Sequence, residues 1–251
     1  MNGAYKTLRE EAFEANMEIP QRNLAIYTWG NVSAFDSDKG VFAIKPSGVK
    51  YEKLKPEDIV VLDLEGKTVE GKLKPSSDTG THLILYQDFI NRAVNSSSGG
   101  NASGGKITIK GICHTHSTYA VSFAQARQSV PVYGTTHADH GACEIPCTEI
   151  MGEEAVKGDY EIETGKLIVE TFNKQAINPL HMPMILVAGH GPFTWGESAS
   201  QSVYNAAVLE EVCKMALLTR SLDPNAKTLP EYIINKHWER KHGPNAYYGQ
   251  K

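Results

Sequence analysis

Cysteine is scarce: the chain has four in 251 residues, at positions 113, 143, 147 and 213. Four cannot staple a chain of this length, so the fold must rest on a hydrophobic core, and all four are expected as reduced, mostly core thiols. Cys143 and Cys147 also lack the second pair that a cysteine-based metal site would need. An excess of positive charge is missing. The formal net charge is −4, which argues against a nucleic-acid binder, because a phosphate backbone calls for a basic face. No apolar run reaches about eighteen residues, so no transmembrane helix is expected. Residues 1–19 are acidic and lack an apolar centre, unlike a signal peptide; a cytoplasmic protein is the expectation. What remains is a chain that is 41% hydrophobic and 22% charged, enough for a sizeable core and read as one domain over 1–251.

The most informative stretch is His114-Thr115-His116, which closes the segment 107–113 (Ile-Thr-Ile-Lys-Gly-Ile-Cys). That segment is short, apolar and β-branched, as a buried strand is. Residues i and i+2 of a strand share a face. The two imidazoles would then lie side by side, as zinc ligands often do; the alternative is a hydrogen-bonded strand end that binds nothing. Residues 184–188 predict another strand, ending at Gly189-His190-Gly191, and His190 is a candidate third ligand. The segment 134–140 sets His137, Asp139 and His140 among small residues, as a site or as a polar loop.

Three turns carry anion-type features. Residues 24–34 read as a strand broken at Gly30-Asn31, where a β-bulge is the first reading and a close approach to a ligand the second. Strand 41–44 runs into Lys45-Pro46-Ser47-Gly48, whose cation, hydroxyl and glycine backbone suit a phosphate, or simply end the strand. Lys74-Pro75-Ser76-Ser77-Asp78-Thr79 precedes a helical pattern at 81–90, so Ser76, Ser77 or Asp78 caps the helix or lies beside amides that meet an anion. Helices are expected at 5–19, closed by Pro20, at 118–128 and at 201–221. Further strands are expected at 59–64, with a turn at 65–67, and at 167–171. Residues 95–106, rich in Ser and Gly, predict a flexible surface loop. The tail, with His237, Arg240 and Tyr248, is basic and aromatic; it is a frayed end or the cover of a site.

Seven strings occur here in one order: Thr-Trp-Gly-Asn-Val-Ser, Ile-Lys-Pro-Ser-Gly-Val, Lys-Pro-Ser-Ser-Asp-Thr, His-Thr-His-Ser, Gly-Thr-Thr-His-Ala-Asp, Gly-His-Gly-Pro-Phe and Ala-Tyr-Tyr-Gly-Gln. In them the chain resembles, over nearly its whole length, the pentulose-phosphate epimerases of the class II (zinc) aldolase/epimerase superfamily. The insertion at 95–106 is the main departure. The resemblance implies an α/β fold of three layers, α/β/α, around a mainly antiparallel sheet, and a homotetramer with its sites between subunits. It implies Zn2+, or another divalent metal, on His114, His116 and His190, with Asp78 a further ligand or a carboxylate just behind them. It implies a sugar-phosphate substrate held by Gly30, Asn31, Lys45, Ser47, Gly48, Ser76 and Ser77. Asp139 and Tyr248 would exchange protons, helped by His237 and Arg240, and would reach a neighbouring subunit's metal. The implied reaction is inversion at C4 of L-ribulose 5-phosphate. The alternatives are an aldolase of the same superfamily, against which Asp78 stands where the aldolases carry glutamate, and a non-catalytic module like the adducin heads, which lack the histidines.

Overall fold

The computed structural model describes residues 3–98 and 108–249. The chain order is α1 (Lys6–Gln21), β1 (Asn31–Asp36), β2 (Val41–Ile44), β3 (Val60–Asp63), β4 (Thr68–Glu70), α2 (Thr79–Ser98), β5 (Gly111–His114), α3 (Thr118–Ala126), α4 (Thr135–Ala138), α5 (Glu153–Lys157), α6 (Tyr160–Lys174), β6 (Met184–Val187), β7 (Gly191–Gly196), α7 (Ala199–Leu222) and α8 (Glu231–His242). The seven strands form one sheet in the order β4-β3-β2-β1-β5-β7-β6. Every pairing in it is antiparallel.

The strands are apolar on both faces because helices cover both. Alternation sends Val32, Ala34, Val41, Ala43, Val61 and Cys113 to one face, where they pack with α1 and the first half of α7. Phe35, Phe42, Ile44, Val60, Leu62 and Ile112 go to the other, against α2, α3, α6 and the second half of α7. The result is the three-layer α/β/α arrangement. Asn16 of α1 is fully buried and spends its amide on the β1 backbone: Nδ2 donates to the Val32 carbonyl at 2.9 Å and Oδ1 accepts from its N–H at 2.9 Å. That pairing fixes the height of β1 against the helix.

Several expectations are corrected. Residues 167–171 belong to helix α6. Its buried positions Thr164, Gly165, Ile168, Thr171 and Phe172 recur at three- and four-residue spacing, and the Asp159 side chain caps it by accepting from the Ile162 amide. Five residues (Leu-Ile-Val-Glu-Thr) read alone cannot reveal that period. Helix α1 runs through Pro20 to Gln21, since a proline in the last turn forfeits a single backbone bond. The strand at 24–34 begins only at Asn31, and that at 107–113 only at Gly111. Residues 95–98 continue α2, and the rest of the Ser/Gly-rich stretch lies outside the described residues, as does Ile107. No helix among the described residues is long and apolar enough to cross a membrane.

Candidate active site

One cross-strand row sets the site at the end of the sheet: Asn31 of β1 pairs with His114 of β5, which pairs with Phe193 of β7. His114 stacks on the Phe193 ring at 4.3 Å and donates from Nδ1 to the Pro192 carbonyl at 2.9 Å. Its Nε2 is thereby left bare and stands 3.1 Å from Nε2 of His116. His190, in the turn between β6 and β7, completes a triangle in which one ligand atom from each ring lies within 4.8 Å of the others. Its Nδ1 is buried without a hydrogen-bond partner among the described residues. Burial, then the neighbouring His114, pushes the pKa of both His116 and His190 down to about 4. Both rings are neutral at pH 7, the form a metal needs. The three rings, with bare nitrogens converging, fit a divalent ion with positions left open.

Asp78 stands behind them at the head of α2, its Oδ2 accepting from Asn31 Nδ2 at 2.6 Å. Burial opposes its ionisation, but His114, His82, His190 and the Asn31 bond outweigh that and hold the carboxyl below the usual range. Below the site, fully buried His82 bonds Ser33 Oγ through Nδ1 at 2.7 Å, and Ser33 Oγ meets Tyr86 OH at 2.8 Å.

The two expected anion turns lie side by side. Pro46 and Pro75 form an isolated antiparallel bridge; Ser47 N–H donates to the Lys74 carbonyl and Ser76 N–H to that of Lys45, both at 3.0 Å. Gly48 takes φ +68°, the left-handed region that favours glycine. Lys45 is 2% exposed and forms no ion pair among the described residues. Burial draws its ammonium pKa down to about 8, against the pull of Asp78. A buried cation of this kind calls for an anion.

Metal end and cation end share one cleft of about 430 Å³, which gathers Gly30, Asn31, Lys45, Ser47, Gly48, Ser76, Ser77, Asp78, His114, His116 and His190. Gly30 is no β-bulge. It precedes β1 at φ +76°, and a Cβ there would stand 2.7 Å from the His114 carbonyl oxygen. Sequence reasoning did not single out four other lining residues, Thr28, Trp29, Tyr160 and Glu161. Trp29 lies inside one of the seven strings; Tyr160 and Glu161 open a helix whose middle reads as a strand.

The remaining expected residues gather elsewhere. Asp139, just after α4, takes Arg240 in a fork (Nη2 to Oδ2 2.7 Å, Nε to Oδ1 3.1 Å), His237 Nδ1 at 2.9 Å and Lys241 Nζ at 3.6 Å. The Tyr248 ring lies 5.0 Å from the Arg240 guanidinium and 4.5 Å from Lys241 Nζ. Burial disfavours the Asp139 charge, yet Arg240, His237 and Lys241 prevail and hold it below the usual carboxylate range. None of Asp139, His237, Arg240 or Tyr248 lines the histidine cleft of the same chain.

Residues 10–217 match the model of the class II aldolase and adducin N-terminal domain. The chain belongs to that family. It is 48% identical over 244 residues to the L-ribulose-5-phosphate 4-epimerase UlaF of Salmonella paratyphi A (strain ATCC 9150 / SARB42), covering 97% of this chain and 99% of the relative. The homologue of that name in Salmonella paratyphi C (strain RKS4594) is 49% identical over the same length. Among solved structures, an L-fuculose 1-phosphate aldolase superposes with a TM-score of 0.73 at 24% identity, over 96% of this chain and 97% of that one. The Thermus thermophilus aldolase of that name gives 0.61 at 20% identity, over 88% and 98%. These likenesses establish the class II aldolase fold. Members of the family generally use a divalent metal, and the histidine triangle is where this chain could hold one.

Proposed function

We propose that this chain is a zinc-dependent L-ribulose-5-phosphate 4-epimerase that acts as a single domain, as a homotetramer, in the cytoplasm. The observation that carries the reading is the cleft itself: three converging histidines at one end and, at the other, a buried lysine with no ion pair among the described residues, in a chain nearly half identical to the UlaF epimerases. The residues would divide the work as follows. Lys45, with the hydroxyls of Ser47, Ser76 and Ser77, binds the phosphate and tethers the aldehyde half of the sugar. His114, His116 and His190 hold the ion, and Asp78 with Asn31 orients the oxygen-rich end. The ion, when bound, supplies Lewis acidity to negative charge developing on the ketose oxygens.

Direct deprotonation at C4 is unfavourable because that C–H is not acidic. Breaking C3–C4 gives an enediolate and glycolaldehyde phosphate; the tethered aldehyde turns over and the bond re-forms on its other face. The C4 oxygen loses its proton as the bond breaks and regains one as it forms, on opposite sides for the two epimers. One proton-exchanging group per side is needed. We assign these roles to Asp139 and Tyr248 of a neighbouring subunit, with His237 and Arg240 orienting Asp139. The Asp139 cluster lies outside its own chain's cleft, which supports a site shared between subunits.

The test is an NMR time course of the zinc-loaded protein with L-ribulose 5-phosphate. D-xylulose 5-phosphate should appear without free glycolaldehyde phosphate. Accumulating fragments would mean an aldolase, and no turnover with zinc bound would overturn the reading.

A further inference from the structure

We propose that Tyr51 is a positioning residue that couples the phosphate end of the cleft to its metal end; this rests on the reading of the cleft given above. Tyr51 opens a short 3-10 turn, Tyr51–Lys53, and does not itself line the cleft. It is 4% exposed. Its hydroxyl is shared between two carbonyl oxygens of one turn, Trp29 at 2.8 Å and Gly30 at 3.0 Å. Its ring lies 5.0 Å from Lys45 Nζ.

Each contact bears on a different part of the site. The turn that the hydroxyl grips is one an L side chain resists: Tyr27 takes φ +57° and Gly30 φ +76°. That turn presses Gly30 against the backbone of His114 and Thr115 and sets the Trp29 ring 6.1 Å from that of His116. Among the described residues the Lys45 ammonium has one hydrogen-bond contact, at 3.5 Å to the carbonyl of Pro46. The ring face therefore helps keep that buried lysine charged and in place to meet an anion. Burial pushes the Tyr51 hydroxyl pKa up, so it remains a donor over the working pH range. Phenylalanine would fill the same volume. The hydroxyl is needed only to hold the Trp29-Gly30 turn, and the ring to hold Lys45, so the two functions separate by substitution.

The experiment compares wild type, Tyr51→Phe and Tyr51→Leu, all zinc-loaded. It measures inorganic phosphate binding by calorimetry, zinc content, melting temperature, and kcat and KM on L-ribulose 5-phosphate. Tyr51→Phe should keep phosphate affinity within about twofold, because the ring remains under Lys45, and lower kcat about 3- to 10-fold as the shared hydrogen bond is lost. Tyr51→Leu should weaken phosphate about tenfold and raise KM, as a desolvated cation–π contact disappears. Should Tyr51→Leu fail to fold, Tyr51→Phe carries the test alone: an unchanged kcat overturns the proposal. A lowered melting temperature in both variants, with phosphate affinity, kcat and KM at wild-type values, also overturns it, since that is a structural role only. Wild-type protein that binds no phosphate overturns the reading of the cleft and the coupling with it; wild type that binds phosphate beside variants that match it overturns the coupling alone.

Discussion

Two clusters of charged and metal-type side chains sit in this chain, built in opposite ways. The histidine cleft is assembled by the sheet: its residues hang from the ends of adjacent strands and the turns beside them, and the groups left over, bare imidazole nitrogens and an unpaired ammonium, face an open cleft. The Asp139 cluster is assembled by α8, a helix with no buried residue that packs on α4. There the carboxylate finds its partners within the chain, with Arg240, His237 and Lys241 all on Asp139. The cleft has unmet demand for ligands, whereas in the tail cluster the carboxylate is fully partnered within the chain and Tyr248 beside it is 61% exposed. On the proposed reading, the binding site and its proton-exchanging groups are built on separate parts of one chain, and a second copy would bring them together.

The comparison can be broken most strongly at the metal end. His114→Ala should remove bound zinc and lower turnover by about three orders of magnitude or more, the loss of several kcal/mol of Lewis-acid stabilisation, read by metal analysis and rate. At the other cluster, Asp139→Asn or Tyr248→Phe should lower kcat by about 10²-fold or more with zinc content unchanged, as for loss of a general acid or base. Mixing subunits sharpens this. Refolded mixtures of His114→Ala with Asp139→Asn chains should regain activity that neither parent shows; mixtures as inactive as the parents would place both clusters at the same chain's site.

Smaller in effect is Gly30→Ala. It forces a Cβ toward the His114 carbonyl oxygen at 2.7 Å and into a left-handed conformation, costing about 1–3 kcal/mol. Thermal melts and zinc affinity should fall together. The gentlest probe is pH. Because burial draws the Lys45 pKa down to about 8, its charge is present below that pH and lost above it. kcat/KM should therefore fall up to about tenfold per unit well above pH 8, while kcat declines less, since bound phosphate holds the proton on Lys45. Asp139 gives the opposite pH dependence, although its pKa too is lowered. Its folded carboxyl pKa is depressed, so its ion pairs contribute stability above the ordinary carboxylate range, and that contribution disappears as pH falls through the depressed value.

Much of the site is legible in the sequence because its chemistry lies in short strings. His114 and His116 are two apart, Lys45 to Gly48 and Ser76 to Asp78 are contiguous, and every one of these residues lines the cleft. Tyr51 and His82 are not legible: their contacts are to residues distant in sequence (Trp29, Gly30 and Ser33), and nothing near them in the chain announces a role. Residues 167–171 mislead for a related reason. Leu-Ile-Val-Glu-Thr satisfies a strand and a helix equally until the partner surface is known.

By itself the sequence determined the local periods, the turns where glycine relieves a positive φ, and the types of side chain available to bind an ion and an anion, because these depend on neighbours a few residues away. Only the tertiary structure decided that Asn31, His114 and Phe193 form one row, that the two anion turns lie against each other, and that Asp139 stands with the tail outside its own chain's cleft. Those are outcomes of strand register and helix packing, in which residues as distant as Asp139 and Arg240 meet because two buried or half-buried surfaces fit, and no short-range pattern encodes that fit.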